Sequence, residues 1–223
     1  MVRIDPKRRA EIGEQKRRRT NGRIVDAALR VIAAKGLDQF SIDDVVTEAG
    51  ISRGSFYNYY PDKHALVADM ADRMHDILAS DRYFVPDDTL DMRDNLLAFM
   101  RRQALFLRRA HEHSDWGWLI MEVFATQRMA RPFLGTQDPE IFFDFMRRLG
   151  ASGLIAFRSV DAIYDFYIGA MYLTLGRIIR VGDPDVETVI GNFFFHVLLA
   201  FGTPRGEVEG MVREALAEPS SVG

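Results

Sequence analysis

The chain has 223 residues, 48% of them hydrophobic, which is enough to form a substantial core as one large domain or two small ones. It has no cysteine, so disulfides, thiolate metal sites and cysteine nucleophiles are excluded and a cytoplasmic location is expected. The N-terminus is charged and has no apolar stretch behind it, so no signal peptide is expected. The longest apolar run, 193–201, is interrupted by His196 and is shorter than the roughly 20 residues that span a membrane, so no membrane partner is expected.

Charge is distributed unevenly along the chain. Residues 1–65 carry 13 Lys and Arg against 9 Asp and Glu, whereas the remaining residues carry 16 against 23. Nine of the basic residues lie within the first 23 positions, including the run Lys16–Arg19. A basic segment on an acidic body indicates a polyanionic partner at one end of the molecule. A solvated, disordered leader is the alternative explanation.

The pattern of apolar residues predicts an all-α fold. Apolar side chains recur with a 3.6-residue period throughout, and signals for strands are nearly absent. Helices are predicted near residues 20–35, 42–49, 52–58, 62–80, 89–112, 115–128, 139–150, 161–181, 185–202 and 205–217.

Two short capped helices joined by a tight turn are predicted within residues 41–58. Ser41 can cap the first helix, and Asp44 at its third position can return the hydrogen bond. Gly50 ends this helix, because glycine adopts the left-handed conformation without strain. Ser52 can then cap the second helix. Two capped helices with such a turn between them indicate a helix-turn-helix.

The stretch from Ser41 to Leu66 reads SIDDVVTEAGISRGSFYNYYPDKHAL. It resembles the TetR (tetracycline-repressor-like) family, whose pattern has an alcohol capping helix two, an A-G-[VI]-S turn, G-[ST]-x-Y-x-[YHF]-[YF], and K-x-x-L at the start of helix four. Nearly every position matches, with Ser41 in place of the commoner Thr. The resemblance implies an N-terminal three-helix bundle with a helix-turn-helix over residues 20–66. A basic arm, 1–19, would precede it, and a larger C-terminal helical ligand-binding and dimerisation domain, 67–223, would follow.

The resemblance also implies which residues contact DNA. The helix after Ser52 would enter the major groove, where the guanidinium of Arg53 has the fork that pairs with guanine. Lys63 would reach a phosphate at the start of helix four, and Phe56 and Tyr60 would pack inward. Asn58 is equally compatible with an ordinary surface position. Lys63 alone would be an ordinary solvated charge, but its place in the pattern favours the phosphate contact. The predicted DNA-binding residues are Arg17, Arg18, Arg19, Ser41, Ser52, Arg53, Gly54, Ser55, Tyr57, Asn58, Tyr59 and Lys63.

The last long helices carry more apolar surface than one face requires. The helix predicted at 185–202 has a complete apolar stripe, yet Phe195 and Leu199 lie outside it. Two such helices from each of two subunits would form a four-helix interface, as the resemblance also implies. A monomer that buries both faces in its own core is the alternative. The predicted interface residues are Phe166, Gly169, Ala170, Leu173, Gly176, Phe194, Phe195, Leu198 and Leu199.

Aromatic and methionine side chains are concentrated between residues 89 and 181. In the family this region encloses an inducer cavity, and its few buried-looking charges favour a mostly apolar ligand. An ordinary core is the alternative for each residue. His111 and His113 face different sides of a helix, so no metal site is predicted. The predicted ligand-binding residues are Phe106, Trp116, Met121, Phe124, Phe142, Phe145, Tyr164 and Tyr167.

The residues and the resemblance together predict a ligand-responsive repressor that binds double-stranded DNA at a palindromic operator as a homodimer. A mostly apolar small molecule would modulate it, and no cofactor is expected. An enzyme is a second hypothesis, but no nucleophile elbow, phosphate loop or paired carboxylates support it. A third is a helical interaction protein that retains the fold without regulated DNA binding, against which the polar surface from Arg53 to Lys63 argues.

Overall fold

The computed structural model describes residues 6–79, 84–126, 139–180 and 185–217. Every regular element within these ranges is a helix, which confirms the predicted all-α class. No helix in the described part of the chain is long and apolar enough to cross a membrane. The chain divides into two compact units, a first unit of residues 1–74 and a second unit of residues 75–223. The predicted boundary after residue 66 is therefore too early, because the whole of the fourth helix belongs to the first unit.

The first unit contains four helices, which are α1 (Pro6–Lys35), α2 (Ile42–Ala49), α3 (Arg53–Tyr57) and α4 (Lys63–Met74). Helix α1 begins far earlier than predicted, and the basic segment is its exposed first half rather than a separate arm. Proline is favourable at such a start because its missing N–H would have no partner in the first turn. The buried face of α1 begins only at Ile24. That switch from exposed to buried explains why apolar periodicity located only the second half of the helix.

The predicted caps of the helix-turn-helix are all present. The Ser41 hydroxyl accepts a hydrogen bond from the backbone N–H of Asp44 at 3.2 Å, and the Asp44 carboxylate accepts one from the N–H of Ser41 at 3.0 Å. Gly50 ends α2 with φ 61° and ψ 45°, a left-handed conformation that favours glycine. The Ser52 hydroxyl accepts the N–H of Ser55 at 3.1 Å and so caps α3.

Apolar side chains fix α3 within the first unit. Phe56 is fully buried and lies 5.8 Å, centroid to centroid, from the ring of Tyr60. Both residues pack inward, as predicted. The surrounding helices contribute further buried side chains, which are Ile24, Val25, Ala28, Leu29 and Ile32 of α1, Val45, Val46 and Ala49 of α2, and Leu66, Met70 and Met74 of α4. Because one face of α3 is held in this core, its opposite face is directed to solvent.

The second unit is a helical bundle. Its elements are a π-helical turn (His75–Ala79), α5 (Met92–Glu112), α6 (Ser114–Thr126), α7 (Pro139–Ala151), α8 (Val160–Arg180), α9 (Val186–Ala200) and α10 (Arg205–Leu216). Helix α5 packs against α8, α9 and α10. An ion pair between Arg108 and Glu187, 2.6 Å apart, connects α5 to α9. Helices α6 and α8 approach closely at Gly117, where an added Cβ would lie 2.6 Å from the Ile179 side chain.

Candidate nucleic-acid interface

Helix α3 and its C-cap residue Asn58 present a short polar surface, to which α3 contributes Arg53, Gly54 and Tyr57. The guanidinium of Arg53 forms two contacts with the Asp43 carboxylate on α2, Nε to Oδ1 at 2.7 Å and Nη2 to Oδ2 at 3.0 Å. A Cβ added to Gly54 would meet nothing nearer than the Ser52 hydroxyl at 3.9 Å. The backbone of α3 is therefore open to close approach by a large partner.

The predicted DNA-binding hydroxyls divide into two groups. Ser41, Ser52 and Ser55 are already engaged in caps, with the Ser52 and Ser55 hydroxyl oxygens 2.9 Å apart. Ser41 also donates to the Asp44 carboxylate at 2.8 Å, so both its donor and an acceptor position serve the helix. Tyr57, in contrast, is 50% exposed. These serines act first as structural caps, a role that competes with direct contact to a phosphate.

Lys63 has an internal role that the sequence did not indicate. Its ammonium lies 4.1 Å from the centroid of the Phe40 ring and donates to the backbone carbonyl oxygens of Leu37 and Asp38 at 3.3 and 3.5 Å. These contacts hold the loop after α1 against the start of α4. A predicted phosphate contact by Lys63 would have to share or replace them.

A closed ring of four hydrogen-bonded side chains joins α1, α4 and the residue Tyr60 that follows α3. The Tyr60 hydroxyl donates to Asp69 at 2.5 Å and accepts from the Asn21 amide at 2.7 Å. Arg73 closes the ring by donating to both Asp69 and the Asn21 carbonyl oxygen. Burial, and then the bond to Asp69, raise the pKa of Tyr60. Sequence reasoning missed this ring, although a tyrosine at a position predicted to face the core was the available signal.

The basic half of α1 borders the same region. Arg17, Arg18 and Arg19 are exposed, as a contact with a polyanion requires. Arg18 pairs with Glu14 at 2.6 Å, and the Arg17 guanidinium lies 6.0 Å from the half-buried Tyr59 ring. A groove of about 600 Å³ runs along this side of the first unit and is lined by Glu14, Arg17, Arg18, Asn21, Tyr59 and Arg73.

The predicted dimer residues do not share one surface. Phe166 and Leu173 of α8 are 47% and 72% exposed, and Gly169 and Ala170 between them are partly exposed. Phe195 and Leu199 of α9 are half-buried. The remaining three, Gly176, Phe194 and Leu198, are buried within their own unit, so a partner chain does not reach them. This corrects the prediction, which took the two glycines of α8 to share an outward face.

The predicted ligand-binding residues belong mostly to a packed aromatic core. Phe106, Met121, Phe142, Phe145, Tyr164 and Tyr167 are buried, Trp116 is half-buried, and the side chain of Phe124 lies outside the described residues. Phe142 lies 5.5 Å from Tyr164 and 5.7 Å from Tyr167, measured between ring centroids. An apolar cavity of about 20 Å³ adjoins this core, and Tyr167 is the one predicted residue among those that line it. Within the described residues, no cluster of three or more His, Asp or Glu side chains is placed to hold a metal.

The hydrogen bonds of Tyr60 in this ring should stabilise the first unit. Tyr60→Phe keeps the aromatic packing but removes the hydroxyl from Asn21 and Asp69, which should lower the free energy of unfolding by about 1 kcal/mol. Tyr57→Phe removes an exposed hydroxyl from the same segment and should leave stability unchanged. Amide hydrogen exchange over residues 24–70 of the full chain measures both effects. Equal protection in the two variants would show that the Tyr60 hydroxyl contributes nothing to stability.

Comparison with known proteins identifies this first unit. Residues 24–70 match the family model described as bacterial regulatory proteins, tetR family. The HTH-type transcriptional regulator YvdT of Bacillus subtilis is 44% identical over 52 residues, which are 23% of this chain and 27% of that protein. SrpR of Pseudomonas putida, also an HTH-type transcriptional regulator, is 36% identical over 69 residues, or 30% of this chain and 31% of that protein. The matches thus span less than a third of either relative.

Solved structures extend the likeness to most of the chain at the level of fold. A gamma-butyrolactone receptor described as ArpA-like has a TM-score of 0.63 and 15% identity, and the match covers 89% of this chain and 96% of the receptor. A tetR-family regulatory protein from Rhodococcus RHA1 has a TM-score of 0.61 and 13% identity, covering 83% and 98% of the two chains. The family and the curated relatives are transcriptional regulators rather than enzymes. Residues 24–70 are thus similar to the tetR family of bacterial regulatory proteins and to HTH-type transcriptional regulators.

Proposed function

We propose that the chain is a ligand-responsive repressor that binds a palindromic operator as a homodimer. The observation that carries this proposal is the presentation of α3. Its apolar side chain, Phe56, is fully buried, while Arg53, Gly54, Tyr57 and Asn58 are exposed. A short helix held in this way can enter a major groove with its polar side chains against base edges.

Electrostatics favour DNA as the partner of the first unit. The exposed half of α1 carries Arg17, Arg18 and Arg19, and the Arg17 guanidinium lies 6.0 Å from the ring of Tyr59, which follows α3. Positive side chains in such positions displace counterions from phosphates and add affinity without reading sequence. The first unit therefore combines a surface for base recognition on α3 with a surface for backbone contact on α1.

Selection of the full chain against random duplexes tests this assignment, and we expect a palindromic sequence to be enriched. Arg53→Ala should cost about 1–3 kcal/mol of binding free energy and relax the preference at one base position of each half-site. Arg205→Ala, which removes an exposed cation from α10 in the second unit, serves as the control and should bind as the wild type does. If no palindromic sequence is enriched, the proposed function is wrong.

Dimerisation is assigned to the exposed apolar face of α8. Phe166 and Leu173 are seven residues apart and lie on one side of the helix, with Ala170 between them. A groove of about 450 Å³ between α8 and α9 continues this face and includes Asn192 and His196. Large apolar side chains exposed together indicate an interaction site. A two-fold partner would cover them and would match the symmetry of a palindromic operator.

A charge in this face should separate the two subunits. Leu173→Glu places a carboxylate at a leucine that is 72% exposed, where pairing would desolvate it, so the variant should sediment as a monomer at micromolar concentration. The same change at Leu105, which is 36% exposed on α5, is the matched control and should leave a dimer. A monomeric wild type, or a dimeric Leu173→Glu variant, would refute the assignment.

The effector is assigned to the aromatic core of the second unit. The small cavity there is lined by Leu96, Phe99, Met100, Met146, Leu149, Ile155, Tyr167, Phe194, Val197, Leu198 and Phe201, which favours an apolar ligand. A volume of about 20 Å³ admits little more than one water-sized group, whereas small-molecule sites measure roughly 300 Å³ or more. An effector must therefore separate α5, α7, α8 and α9 and bind a more open conformation than the one described.

A screen of apolar compounds tests this part of the proposal. A true effector should raise the melting temperature of the chain and also change its affinity for the enriched duplex. By linkage, saturating duplex must change the affinity for the compound by the same factor. The effector assignment fails if no compound produces both effects, while the assignment of DNA binding is judged separately by the selection experiment.

A further inference from the structure

The side chain of Arg53 is not free on the surface of α3, because Asp43 holds it from α2. Both oxygens of the carboxylate are used, at 2.7 Å to Nε and 3.0 Å to Nη2. The Arg53 and Asp43 side chains remain 61% and 64% exposed. Solvent-exposed ion pairs contribute little to folding stability, so the fold itself gives little reason for this arrangement.

The pairing leaves one edge of the guanidinium available. Arginine offers five N–H donors in a planar fork, and Asp43 occupies the edge formed by Nε and Nη2. The adjacent edge, formed by Nη1 and the second N–H of Nη2, still presents two parallel donors. Two parallel donors are what the O6 and N7 acceptors of guanine require in the major groove. The carboxylate therefore fixes the direction of the fork without consuming its ability to read a base.

The neighbouring acidic residues of α2 are engaged elsewhere. Asp44 pairs with Lys35 at 2.6 Å and belongs to the capping box, and these hydrogen bonds lower its pKa. Glu48 pairs with Arg30 at 2.6 Å. Among the ion pairs of the described residues, Asp43 is thus the carboxylate that faces Arg53. A negative charge at this position repels DNA phosphates and lowers the affinity for DNA. The carboxylate must therefore offer another advantage.

We propose that Asp43 is a positioning residue for base recognition, which directs Arg53 toward guanine and sets the specificity at one position of each half-site. This inference rests on the proposed function. Holding the guanidinium in place reduces the side-chain freedom that is lost on binding, so the gain is specific to the duplex that offers guanine there. On all other sequences the carboxylate only weakens binding. Asp43 thereby lowers the affinity for DNA in general and raises the preference for duplexes that carry guanine at this position.

The test compares Asp43→Asn with Glu48→Gln in the full chain. Both variants remove one negative charge from α2, but only the first removes the carboxylate that holds Arg53. Affinities are measured for the enriched duplex and for duplexes substituted at each half-site position. We expect the wild type to prefer guanine by about tenfold or more at the position that Arg53 reads. Asp43→Asn should reduce this preference to about threefold or less while binding unrelated duplex at least as tightly.

Two further variants show whether the loss of preference for guanine is specific to the Asp43 carboxylate. Glu48→Gln should keep the wild-type preference for guanine, and Asp43→Glu should recover part of it because the carboxylate is restored. If Asp43→Asn keeps the full preference, or if both charge-removing variants lose it equally, the inference is wrong even when Arg53→Ala relaxes specificity. If selection with the wild-type chain enriches no sequence, both the inference and the proposed function are wrong.

Discussion

The placement of α3 within the first unit depends on the backbone conformation at Gly50. Its left-handed φ of 61° ends α2 and turns the chain within three residues into the cap of α3. Side chains with a Cβ are strained in this conformation, so the turn is tied to glycine. The capping box of Ser41 and the cap formed by Ser52 then fix the two helix starts on either side. The position of α3, which has only five residues, follows from these constraints and from the burial of Phe56.

Electrostatic pairing determines which charges of this unit face a partner. Several exposed cations are already paired, Arg30 with Glu48, Lys35 with Asp44 and Arg53 with Asp43. The pKa of Asp44 lies below its ordinary value, so its contribution to stability is present above the usual aspartate pKa and is lost as the pH falls through the lowered value. The first half of α1 differs because Arg17 and Arg19 have no such ion pair among those described. Arg17 and Arg19 are therefore cations of the first unit that can contact DNA phosphates without first breaking an ion pair.

Much of the fold could be predicted from the sequence, because caps, glycines and apolar periodicity are local signals. The ends of α2 and the existence of the ten α-helices in the described ranges follow from them. The first half of α1 escaped prediction because an exposed helix buries no apolar face. The site was less predictable, since the partners of Arg53 and Lys63 are ten or more residues away in the sequence and depend on tertiary packing. Burial of Gly176, Phe194 and Leu198 was missed for the same reason, because two apolar faces of a helix look alike in the sequence.

If α2 and α3 present the surface that binds DNA, a bound duplex must protect the backbone of these helices. Amide hydrogen exchange of the full chain, with and without a saturating enriched duplex, measures this protection. We expect the duplex to slow exchange over residues 41–60 and in the exposed half of α1. Unchanged exchange in both segments, with slowing confined to the second unit, would contradict it.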